Sequence, residues 1–600
     1  MEVRADRQEF DRRHQIFLAE GNASLRYKGA LIEGDRLRVN LIDRLVIAEG
    51  RVSFTRGRQT LRSDRLEFNL IQGDGTATNV YGTIFRPTTG ADLSPTRVEL
   101  SDYNPALDRP LSDRISSQQT LRDIRQVGQF GFGSDGSIAT PAGQSNDVNH
   151  LRFQADHLDF DSRGWLATNA RITNDPFSPP ELEIRAEQLR LRRLSPLRDE
   201  LSGTYGRLVL DQTKEIPLPI SRGVLDRRER LTPPLEIGYE GDDDGGVFIQ
   251  RRFPIIQTDD IRFDVAPRLM IQRAIFGDGG PFKLSSLGFR GRFNARLSPT
   301  TSFAALVNAS SLDPNQWDTR LRASARLNQL IPTGWGTHTL TAEASYRDRL
   351  FNGSIGYQTV QRSLGVLLTS PSIPLGGSGV ILNYQAGFQN INAETDRADL
   401  LPAVRENNRI TLNRGQASVT FTRPWVLWQG ETLPPTAEEG LRYSPVPVRP
   451  VVRLIGSVQG LLSHYSSGDI QDSINTTIAL QAQFGHFSQP VFDYTALNIT
   501  YLRRFRQGLS PFLFDRIAED RIMAVGLTQQ IYGPFRFSLQ KVLSLDTGTT
   551  IETNYLLEYS RRTHGILIRF NPERQLGSII LRISDFNWTG NGEAFDDYLP

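Results

Sequence analysis

Six hundred residues carry 69 Lys+Arg against 67 Asp+Glu, for a net charge of +2. That balance lacks the basic excess usual in nucleic-acid proteins, and the absence of cysteine removes disulfides, thiolate zinc sites and thiol nucleophiles together. Apolar residues make up 38%, enough to bury large cores, so wholesale disorder is excluded.

The first residues, Met1-Glu2-Val3-Arg4-Ala5-Asp6, contain no apolar signal-peptide core. No stretch approaches the ~18 consecutive apolar residues of a spanning helix, which excludes a helical membrane protein but not a membrane β-barrel. An internal repeat dominates the first ninety residues. Asp6, Asp35 and Asp64 recur every 29 residues, within Ala5-Asp6-Arg7, Gly34-Asp35-Arg36-Leu37 and Ser63-Asp64-Arg65-Leu66. A second phrase, Ala19-Glu20-Gly21, returns as Ala48-Glu49-Gly50, and Phe10, Val39 and Phe68 occupy equivalent places. Such self-similarity marks stacked units that cannot bury an apolar face alone. Each copy reads as two or more short strands joined by Glu-Gly or Gly-Asp turns. The expectation is a β-solenoid or folded-sheet trough with one apolar interior.

Residues 88–148 break the pattern with Ser, Asp, Gln, Gly and Pro, and read as an insertion with a short helix where Ile115, Leu121 and Ile124 recur. The repeat resumes at Ala155-Asp156-His157-Leu158 and Ala186-Glu187-Gln188-Leu189, which carries the first domain over 1–212. A proline-rich junction comes next at 213–246, with Pro217, Pro219, Pro233 and Pro234.

From 247 to 600 the texture is one of alternating segments about ten residues long. Phe289, Phe293, Ala295 and Leu297 interleave with Arg290, Arg292, Asn294 and Arg296; Leu321, Ala323, Ala325 and Leu327 interleave with Arg320, Arg322, Ser324 and Arg326. A soluble sandwich and a transmembrane barrel both alternate in this way. The uninterrupted length, the charged polar face and the aromatics near segment ends (Trp335, Tyr346, Trp425, Trp428, Tyr501, Tyr555, Tyr559) favour a barrel of about 16–20 strands. The stretch Thr432–Pro450 holds five prolines and reads as a long loop, external or folded into the lumen.

Chemistry is sparse. The seven histidines are scattered without metal-ligand spacing, and nothing builds a nucleophile–base pair, so neither a metal, a cofactor nor an enzyme is expected. Asp242-Asp243-Asp244 offers hard oxygen ligands for Ca²⁺, although a solvated turn explains it as well.

In this order, the phrases resemble the LPS-assembly outer-membrane protein family (LptD, also called OstA or Imp). The Gly-Asp-Arg-Leu and Ala-Glu-Gly phrases of residues 1–85 look like that family's OstA-type repeat. Residues 217–239, Pro-Leu-Pro-Ile-Ser-Arg-Gly-Val-Leu-Asp-Arg-Arg-Glu-Arg-Leu-Thr-Pro-Pro-Leu-Glu-Ile-Gly-Tyr, are similar to its junction into the first barrel strands. Phe253-Pro254 and Ala266-Pro267-Arg268 resemble the texture of those strands. The resemblance implies an all-β protein: a periplasmic OstA-type β-solenoid or β-jellyroll trough, then a transmembrane antiparallel β-barrel in the outer membrane. It further implies transport of lipopolysaccharide, received from a periplasmic LptA-like bridge protein and released among outer-membrane lipids, with energy supplied by an inner-membrane ATPase. The chain departs from the family in lacking the cysteines that lock the two parts together. Its barrel is also short, which leaves open a plug lipoprotein, and it ends Asp597-Tyr598-Leu599-Pro600 without a terminal aromatic.

Each acyl methylene exposed to water costs ~0.8 kcal/mol, so a lipid crossing an aqueous gap needs a continuous apolar groove. Read by alternation, Phe10, Leu18, Leu25, Leu37, Val39, Leu45, Ile47, Val52, Phe54, Leu66 and Phe68 share the inward phase and would line it; plain core packing explains the same pattern. The sugar–phosphate head would meet lumen arginines such as Arg290, Arg292 and Arg322, unless these pair with Asp and Glu. By resemblance, Pro217, Pro219, Pro233 and Pro234 mark a lateral gate, since proline removes a ladder donor; an interdomain linker is the plainer reading. The rivals are a passive porin with a periplasmic accessory domain and a secreted β-solenoid surface protein.

Overall fold

A computed structural model of the chain describes residues 2–27, 29–85, 111–114, 131–132, 138–139, 150–161, 163–195, 198–217, 222–226, 236–258, 260–277, 280–584 and 595. As expected, the chain is all-β: an N-terminal antiparallel sheet of fourteen strands is followed by a closed barrel.

The sheet is a meander from Ile16–Tyr27 through Ala30–Asn40, Leu45–Arg56, Gln59–Asn69 and Gly75–Phe85, then His150–Asp161, Gly164–Thr173 and Leu182–Ser195. Gly75–Phe85 pairs directly with His150–Asp161, so the segment between them is an insertion at one hairpin. The repeated phrases encode bends. Register shifts fall between Glu20 and Ala23, Glu33 and Arg36, and Glu49 and Val52. At the bulges Gly21 and Gly50 adopt φ of 77° and 71°, followed by Asn22 and Arg51 at positive φ. A Cβ on Gly21 or Gly50 would come within 2.6 Å of the Asp6 or Asp35 carboxylate. The same aspartates hold the residue after the glycine: Asn22 donates to Asp6 at 3.1 Å and Arg51 to Asp35 at 2.6 Å. Asn79 on Asp64 and Asn169 on Asp156, both 2.7 Å, repeat the device without the glycine.

Ala30–Asn40 reverses its alternation at the bulge, whereas Ile16–Tyr27 (Ala19, Ala23, Leu25) and Leu45–Arg56 (Val46, Ala48, Val52, Phe54) keep theirs across it, so that both limbs of each strand face one core. Leu37 and Val39 enter it from one limb of Ala30–Asn40, Ala30 and Ile32 from the other. Three of the eleven residues read as inward do not face it. Val39 pairs with Val46, which puts Val46 and Ala48 inside and turns Leu45 and Ile47 to the outer face; Leu18 joins them there opposite Arg38. The correction stems from the four-residue turn Leu41–Arg44, which sets the even-numbered positions of the next strand in phase with Val39. The sheet also continues beyond 212, through Lys214–Pro217 and Arg222–Asp226, and the first barrel strand is Glu236–Glu240.

Twenty strands from Glu236–Glu240 to Leu576–Ile583 close the barrel. Two of them, Phe253–Gln257 and Ile373–Pro374, are side excursions whose neighbours pair with each other, which leaves a wall of eighteen. The wall is inside-out. Leu364, Val366, Phe388, Val458, Leu462, Ile474 and Ile478 are exposed, whereas Gln389, Gln416, Gln459, Asn475, Thr477, Asn498 and Arg504 are buried on the inner face. A water-soluble domain has the opposite arrangement, and a barrel in hydrocarbon requires this one. No helix among the described residues is long and apolar enough to cross a membrane. Strand directions place the turns at Gly334–Trp335, Gly430–Pro450 and Arg561–Thr563 on one mouth, beside the N-terminal sheet, and those at Gly241–Gly245, Asn352–Gly356 and Leu509–Asp520 on the other. Trp335, Trp425 and Trp428 lie on the outer surface at the sheet-side mouth, where an interfacial girdle belongs.

Candidate functional site

The candidate residues lie in the sheet interior, at the joint to the barrel and in the lumen. In the interior, Phe10, Phe17, Val39, Val46 and Phe68 stand opposite one another across five strands. Toward the barrel the row meets an aromatic cluster in which Phe68 lies 5.6 Å from Phe54 and 6.2 Å from Phe160. Leu25, Leu37, Val39, Val52, Phe54, Leu66 and Phe68 are buried in this core, while Phe10, on the edge strand Arg7–Asp11, remains 44% exposed. Among the described residues, Arg7–Asp11 is the strand at which this apolar row reaches the surface.

At the other end the sheet docks on the barrel through buried ionic contacts that sequence spacing does not reveal. Arg562, in the turn between Thr550–Ser560 and His564–Asn571, donates to Asp175 at 2.9 and 3.0 Å and to Glu181 at 3.0 Å. Its neighbour Arg561 pairs with Asp211 at 3.1 Å, and the Tyr559 hydroxyl donates to the same carboxylate at 2.9 Å. Asn174 donates to the carbonyls of Thr563 and Ser584. The partners lie almost four hundred positions apart in the chain, and no local pattern marks them.

Three carboxylates face two guanidiniums here. Burial pushes the Glu181 carboxyl up to about 7 against the pull of Arg562 and Arg561, with Asp175 and Asp211 adding repulsion. Between its ordinary 4.5 and about 7 the docked joint holds a proton that the undocked chain releases, so docking weakens as pH rises through that window. Glu181→Gln is expected to flatten the dependence. Proximity of labels across the joint, followed from pH 5 to 8, checks both; an equal slope in the variant would rule out Glu181 as the titrating group.

The lumen carries the predicted arginines. Ala266, Arg290, Asn308 and Arg322 stand opposite one another on the inner wall, and Arg292 faces Asp264. Asp242-Asp243-Asp244 is neither a solvated turn nor an assembled metal site. Asp243 is buried and bonded by Arg322 and by Arg347 at 2.9 and 3.1 Å; Asp244 takes Arg268 at 3.0 Å. Among the described residues, no group of three or more His, Cys, Asp or Glu is placed to hold a metal ion.

The lumen also receives other parts of the chain. The short helix Leu111–Arg114 of the insertion seats Leu111 against Leu367 and Leu461 on the inner wall, and the Leu111 amide donates to Glu343 at 2.8 Å. At the far mouth the loop Leu509–Asp520 folds inward, where Phe512 and Phe514 pack on Leu350, Val360, Ile391 and Tyr465. The proline-rich Gly430–Pro450 closes over the sheet-side mouth through Tyr443 on Phe487 and Tyr494. The helix expected around Ile115, Leu121 and Ile124 lies outside the described residues.

Among the described residues the closing seam of the wall is thin, as is the three-residue pairing of Gly246–Gln250 with Ile261–Met270 beside it. Glu236–Glu240 pairs with the last strand over Ile237–Glu240, whereas Arg409–Gln429 and Val451–Tyr465 pair from Arg414 to Gln429. Pro217 is exposed and pairs with Arg207 in the N-terminal sheet. Pro219, Pro233 and Pro234 lie outside the described residues.

An inside-out, closed antiparallel wall of this kind defines a membrane-spanning β-barrel of outer-membrane type, here with a sheet domain docked on one mouth. The chain belongs to the family described as protein of unknown function (DUF3769), whose model matches residues 145–587. No curated protein matches it. Among solved structures it is similar to OccK10 (OpdN) of Pseudomonas aeruginosa, at 13% identity and a TM-score of 0.25, over 59% of this chain and 98% of that one. The translocation pore of the P pilus usher PapC stands at 10% and 0.13, over 95% and 98%, and the alcaligin outer-membrane receptor FauA of Bordetella pertussis at 9% and 0.19, over 94% and 87%. With scores this low, the class rests on the barrel's own inside-out wall.

Proposed function

We propose that the chain conducts lipopolysaccharide to the outer leaflet, taking acyl chains into the interior of a periplasmic N-terminal sheet and passing the sugar–phosphate head through the barrel. The observation that carries this reading is the apolar interior that reaches the surface at Phe10 and runs toward the docked barrel. A solute porin has no use for such an interior. A lipid that enters displaces packed side chains in that core, so its passage requires the bent strands to part. The thin seam supports sideways release, because few ladder bonds need break there. On this reading the chain makes no covalent change, needs no cofactor and takes its lipid from an LptA-like bridge protein docked on the strand Arg7–Asp11. The insertion helix and inward loops already occupy the lumen, which removes the need for a plug lipoprotein.

The test is photocrosslinking from a probe at Leu37 or Phe54 in membranes making labelled lipopolysaccharide. An energy-dependent lipid adduct is expected at both positions. No adduct at either, alongside ordinary ion conductance, would leave the passive porin standing in its place.

A further inference from the structure

Six arginines converge on one turn at the far mouth. Arg268, Arg322, Arg347 and Arg349 bond the carboxylates of Glu240, Asp242, Asp243 and Asp244, with Arg349 on Glu240 at 3.0 Å. Arg273 and Arg320 donate instead to carbonyls. Arg273 takes those of Asp243, Ser285 (2.9 Å) and Ser310 (2.7 Å), and Arg320 those of Asp242 (3.2 Å) and Asp243. A carbonyl satisfies guanidinium protons without neutralising the charge. Alongside stand Arg326 paired with Glu343, and Asp348. The turn that supplies the aspartates joins the five-residue strands Glu236–Glu240 and Gly246–Gln250, the first of which forms the seam. The Asp242 side chain is 59% exposed toward the far mouth.

We propose that this cradle is a phosphate-binding site whose resident counter-ion is the Asp242–Asp244 turn. Arginine forks bind carboxylate and phosphate in the same bidentate geometry, and a phosphate brings about two negative charges and three acceptor oxygens where one aspartate brings one charge and two oxygens. An incoming phosphate group therefore replaces Asp243 on Arg322 and Arg347 and draws Arg273 and Arg320 from their carbonyls. The freed turn releases its hold on the seam strand, so arrival of the anion loosens the seam. That the phosphate belongs to a lipid head rests on the proposed transport function; the anion site itself does not.

The experiment is equilibrium dialysis of radiolabelled inorganic phosphate against the full chain in detergent, with nitrate as a control anion and heat-modifiable gel mobility as the check on folding. Asp243→Asn is expected to bind phosphate at least tenfold more tightly than the unaltered chain, and Arg347→Gln added to it to abolish the gain. Asp242→Asn, at an exposed carboxylate, gives the same direction if Asp243→Asn does not fold. Unchanged phosphate affinity in both aspartate variants, or an equal gain for nitrate, overturns the site. Competition by a diphosphorylated acyl-glucosamine disaccharide, and none by its dephosphorylated form, is expected for a lipid head. Failure of both to compete overturns the head-group assignment. A phosphate response without the lipid adduct at Leu37 or Phe54 would remove transport and keep the site; the adduct without the response would do the reverse.

Discussion

Replacing Arg562 with alanine is expected to release the N-terminal sheet from the barrel while the barrel stays folded. The Asp175 side chain is fully buried and already accepts the amides of Phe177 and Glu181, so its charge depends on the guanidinium that reaches it from the barrel turn. Removing one partner of a buried pair strands the other charge in a dry site, at a cost of about 3–5 kcal/mol. Arg562→Lys keeps the charge but loses the fork that spans Asp175 and Glu181, and should fall between. Spin labels on cysteines introduced at Glu187 and Trp335, into a chain that has none of its own, read the distance across the joint. A broad, lengthened distribution in Arg562→Ala with normal barrel mobility on a gel is the expected result. An unchanged distance would show that the ionic contacts do not hold the sheet. Replacing the pair by apolar residues, Arg562→Met with Asp175→Leu, should recover most of the docking, since a buried ion pair is often no better than a well-packed apolar one. In a chain without disulfides, this joint is one contact that couples the two parts among the described residues.

Ile478→Arg is expected to destabilise the barrel by about 2–4 kcal/mol in a bilayer. Ile478 sits at the middle of Gln471–Gly485, 58% exposed, with Gly456 and Tyr501 opposite it on the neighbouring strands. On a soluble protein the same exchange of an exposed isoleucine is worth within about 0.5 kcal/mol. Urea unfolding from lipid vesicles separates the two. A cost near zero would place this face in water and remove the membrane-spanning reading altogether.

Much of the architecture was legible because it is periodic. Alternation with arginines on one face and leucines, alanines and phenylalanines on the other marked the barrel wall, and it located Arg290, Arg292 and Arg322 on the inner surface. The spacing of Asp6, Asp35 and Asp64 announced a repeat, although its cause, an aspartate that caps the positive-φ residue of the neighbouring bulge, needed coordinates. Alternation failed at Leu18, Leu45 and Ile47, because a four-residue turn sets the phase of Leu45–Arg56 and the bulges of that strand and of Ile16–Tyr27 leave the phase unchanged across them, and nothing in the one-dimensional pattern counts either.

By itself, then, the sequence determined an all-β chain of two parts with an insertion in the first and an alternating wall in the second. These are properties of period and composition, which a strand carries wherever it lies. Only the tertiary structure decided which charges meet. Arg562 finds Asp175 and Glu181 across 387 and 381 residues, Arg347 finds Asp243 across 104, and the insertion places Leu111 on Glu343 inside the barrel. Such contacts depend on barrel closure, strand direction and the mouth on which each turn falls, none of which a local spacing encodes.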